Sequence, residues 1–91
     1  MNVISKTKKE LRETIAFVLL LAPDRFQSSD KLDLHTGFDE IKAGLEACKH
    51  LIGDGFAVAD LLRRIDEAKQ FYLDGDTKNG ARLLQTVRNE L

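Results

Sequence analysis

The chain has 91 residues, 43% hydrophobic and 32% charged, a balance too apolar for intrinsic disorder and sufficient for one core. Its 14 basic and 15 acidic residues leave a net charge of -1, which excludes the strong positive field of a dedicated nucleic-acid or anionic-membrane binder. One proline, no tryptophan and a single cysteine, Cys48, point to long helices without a disulfide, and to a reducing cytoplasm.

Basic residues ahead of Ile15–Ala22 superficially suggest an export signal. The apolar run is too short to span a bilayer. Glu10 and Glu13 interrupt the basic region, no A-x-A motif follows, and Pro23 comes directly after Ala22. The expectation is a single helical domain over residues 1–91 that does not enter a membrane.

A first helix is expected over about residues 8–22. Thr7 and Glu10 fit a capping box, in which the hydroxyl accepts from the Glu10 amide and the carboxylate reaches back. Ile4, Leu11, Ile15, Val18 and Ala22 share one face. Pro23 stops the helix by pushing Ala22 out of helical geometry. The opposite face begins polar, with Lys6, Lys9 and Glu13, then turns apolar at Phe17 and Leu20. A helix apolar all round needs cover all round, from its own chain or from another.

Residues 23–36 read as a long loop that carries Phe26, Leu32 and Leu34 besides Ser28, Ser29 and Asp30. A second helix is expected over 37–52, capped by Thr36 with Asp39 at the third position. Phe38, Ile41, Leu45, Cys48 and Ile52 form its heptad seam, and Gly53 ends it. A third helix over 56–74 buries Val58, Leu61, Leu62, Ile65, Ala68 and Tyr72, with Asp60 and Arg64 as an acid-before-base pair. Gly75 closes it, Asp76 caps a fourth helix over 77–90, and Gly80, Leu84, Val87 and Leu91 line its inner side. Short links make two C-terminal antiparallel hairpins. The fold class is all-α, a small four-helix bundle or compact helical array.

Motifs for chemistry are lacking. In Asp74–Gly80, Lys78 stands where an EF-hand loop needs a third oxygen ligand, Asn79 replaces its glycine, and Gln85 its bidentate glutamate. Cys48 and His50 lie about 200° apart on a helix, at ~100° per residue, so they do not grip one ion. No nucleophile elbow, zinc-protease helix or phosphate loop is present. No cofactor, metal or catalytic residue is assigned, and the chain is not expected to be an enzyme.

What remains is a protein-binding domain of the immunity or inhibitor, antitoxin, or chaperone and adaptor type. Its expected contact region is an apolar patch of Phe17, Leu20, Phe26, Leu32 and Leu34, rimmed by Asp30, Asp33, Asp39 and Glu40. The alternative is a homodimer whose subunit interface is that patch. Weak nucleic-acid binding through Lys6, Lys8, Lys9 and Arg12, or through Arg63, Arg64 and Lys69, comes third, since acids interleave both clusters.

Overall fold

The computed structural model describes residues 7–22, 33–53 and 55–91, with only the backbone at Phe56. Ile4, Lys6, Pro23, Phe26, Asp30 and Leu32, to which the sequence assigns roles, lie outside the described residues. All regular structure among the described residues is helical: α1 (Lys8–Leu21), α2 (Leu34–Ala47), α3 (Lys49–Ile52), α4 (Gly55–Leu73) and α5 (Thr77–Glu90).

Helix α1 starts as expected, with the Thr7 hydroxyl accepting from the Glu10 amide at 3.1 Å. The Glu10 carboxylate accepts a hydrogen bond from the Thr7 hydroxyl at 3.2 Å instead of reaching back to the Thr7 amide. Helix α2 corrects the sequence expectation. It begins at Leu34, inside the segment read as a loop, with Asp33 and not Thr36 as its N-cap. The Thr36 amide donates to Asp33 Oδ1 at 2.9 Å, and the Asp33 amide donates to Thr36 Oγ1 at 2.8 Å, a complete capping box. Aspartate caps at least as well as threonine. The additional turn also sets Leu34 against the core.

The second helix is also not continuous to Ile52. Cys48, at φ -98° and ψ 5°, breaks it, and α3 is a four-residue turn leading to Gly53. Gly53 adopts φ 130°, a conformation open to glycine, but its ψ of -134° lies outside the left-handed helical cap expected there. Helix α4 ends in a Schellman motif: Asp76 N–H donates to Phe71 O at 2.8 Å and Gly75 N–H to Tyr72 O at 3.1 Å, with Gly75 at φ 86°. Asp76 then caps α5 through the Asn79 amide.

Side-chain contacts fix the topology. The Phe38 and Tyr72 rings meet edge-on, with centroids 5.8 Å apart, and Lys42 pairs with Asp66 at 3.0 Å, so α2 and α4 run antiparallel. Arg64 pairs with Glu90 across the α4–α5 hairpin. Arg12 donates to Leu91 O at 3.2 Å and Arg88 to Arg12 O at 3.4 Å, which lays α5 antiparallel to α1. Burial pushes the Cys48 thiol up, and the Glu10 carboxylate adds to the effect. Helix α2 packs on α1, and the three antiparallel pairs above make this pair antiparallel too. Helices α1, α2, α4 and α5 therefore close a ring in which each neighbour is antiparallel, an up-down-up-down four-helix bundle.

The ring encloses Leu11, Ile15, Val18, Phe38, Ile41, Leu45, Ile65, Leu84 and Val87, all without exposure to solvent. These are the residues that 3–4 spacing puts on inner faces. Each contributes about 1.5–3 kcal/mol of transfer free energy. Leu62, expected in the buried stripe of α4, is only partly covered because it lies at the edge of that stripe. Where α5 crosses α4, a Cβ on Gly80 would stand 3.0 Å from Tyr72 Cδ2 and 3.1 Å from Ala68 O, so the close approach depends on that glycine. Surface pairs such as Arg63–Asp60 at 2.6 Å and Arg63–Glu67 at 2.5 Å lace α4. Exposed pairs of this kind each add less than about 1 kcal/mol.

Candidate interaction face

On α1 the core residues Leu11, Ile15 and Val18 define an inner stripe. At ~100° per residue, Phe17 and Leu20 fall on the opposite side. Phe17 is partly buried and Leu20 is 69% exposed. Neither belongs to the apolar cluster that fills the bundle or to the side chains packed on it. The bundle therefore does not use the outer apolar face of α1 to build its core. Leu34 does pack on the core, so it belongs to the interior more than to a contact patch.

The acidic residues divide. On α2, Phe38 and Lys42 face α4. By helical periodicity, Asp39 points outward on the α4 side, whereas Asp33 and Glu40 lie on the side away from it. Asp39 thus stands apart from the face carrying Phe17 and Leu20. The Asp33 carboxylate is engaged as the α2 cap, and its hydrogen bond from the Thr36 amide holds its carboxyl below the ordinary range.

Glu40 differs from the other acids. It is partly buried, its Oε2 is screened from solvent without a hydrogen-bond partner, and burial pushes its carboxyl up. On α1, Phe17 and Leu21 are also partly buried. Reading the sequence for apolar periodicity placed Glu40 only in a general acidic rim. Gly37 and Gly44, both buried, flank Glu40 at one-turn spacing on α2.

The remaining polar groups lead elsewhere. Asp74 accepts from Gln70 at 2.9 Å and Asp76 from the Asn79 side chain at 2.7 Å, so these acids finish helix ends. Among the described residues no three His, Cys, Asp or Glu side chains gather as metal ligands. No helix of the described residues is long and apolar enough to cross a membrane. An open groove of 450 Å³ lies between α3 and the start of α4, over Val58, Ala59 and Leu62, with Glu46, Lys49 and His50 at its edge. Tyr72 buries its hydroxyl without a partner, and burial pushes its ionisation up. Comparison of the chain with protein-family models, curated proteins and solved structures finds no match.

Proposed function

We propose that this chain is a non-enzymatic helical protein-binding domain of the immunity or inhibitor, antitoxin, or chaperone and adaptor kind, working in a reducing cytoplasm. Its contact face is the outer side of α1, centred on Phe17 and Leu20. The observation that carries this reading is Leu20, a large apolar side chain 69% exposed on the side of its helix opposite the core. Covering Leu20 and the exposed part of Phe17 would add apolar burial that the bundle does not itself supply, at about 25 cal/mol per Å². The basic residues fit nucleic acid less well, because Arg63 and Arg64 are paired with Asp60, Glu67 and Glu90, and Arg12 is bonded to Leu91 O.

The test pairs sedimentation with partner capture. Wild type and a Phe17→Asp, Leu20→Asp double variant are compared at micromolar concentration, with circular dichroism as the folding control. Proteins retained by the wild type and lost by a fully helical variant support the reading. Retention of the same proteins by both overturns it. A tight wild-type dimer that the variant dissolves favours the self-association alternative.

A further inference from the structure

We draw no further inference here: the strongest candidate, the open groove between α3 and the start of α4 over Val58, Ala59 and Leu62, has an acid and bases together at its edge in Glu46, Lys49 and His50, and nothing among the described residues shows what covers it.

Discussion

Replacing Leu20 by glutamine keeps the length of the side chain and a good helix former, while removing apolar character from the outer face of α1. With 69% of the residue exposed, only about a third of the usual 1.5–3 kcal/mol of leucine burial is at stake, so the loss should be about 0.5–1 kcal/mol. Ile15, five residues earlier on the inner stripe, has no exposure, and Ile15→Ala should cost about 2–5 kcal/mol through lost transfer energy and a cavity. A domain of this size has roughly 5–9 kcal/mol in total, so the two variants separate clearly. Urea titrations followed by far-ultraviolet circular dichroism provide the assay. The Leu20 midpoint should shift little, the Ile15 midpoint should fall by a large fraction, and the slopes should stay alike. A Leu20→Gln loss above about 2 kcal/mol would refute the reasoning, because it would mean that the free domain already covers Leu20.

Gly80→Ala sets a helix-propensity gain of about 1 kcal/mol against overpacking of about 1–3 kcal/mol. Since one of the close atoms is the Ala68 carbonyl oxygen of the α4 backbone, the net effect should be destabilising, and a raised melting temperature would contradict the close crossing. Tyr72→Phe should leave stability unchanged or raise it, because it removes a buried hydroxyl that has no partner; a loss above about 1 kcal/mol in thermal unfolding would reveal one. For Glu40 the folded state raises the carboxyl, so it favours the proton. Its stability contribution is whole below the unfolded value of about 4.3 and falls as pH rises through the folded value. Glu40→Gln should therefore be more stable than wild type at pH 7, with the advantage vanishing below about pH 4; equal unfolding midpoints at both pH values would remove the desolvated carboxylate.

Apolar periodicity alone determined much of this protein. The 3–4 spacing in α1, α4 and α5 named their buried stripes, Thr7 and Asp76 marked helix starts, and Gly75 marked the α4–α5 turn, because these signals act within one or two turns of chain. Competition between neighbouring signals was harder to read. Asp33 and Thr36 are both acceptable caps, and the core contact of Leu34 accompanies the earlier start. The break at Cys48 likewise lies inside an unbroken heptad pattern. For the candidate site, the outer position of Phe17 and Leu20 followed from periodicity, since a helix has only one side to give to its core. How the acids divide did not, because Asp33, Asp39 and Glu40 are equivalent as letters. Only the packing of α2 on α4 through Phe38 and Lys42 set Asp39 toward α4 and Asp33 and Glu40 away from it, for the angle at which two helices face each other is set by contacts far apart in the chain.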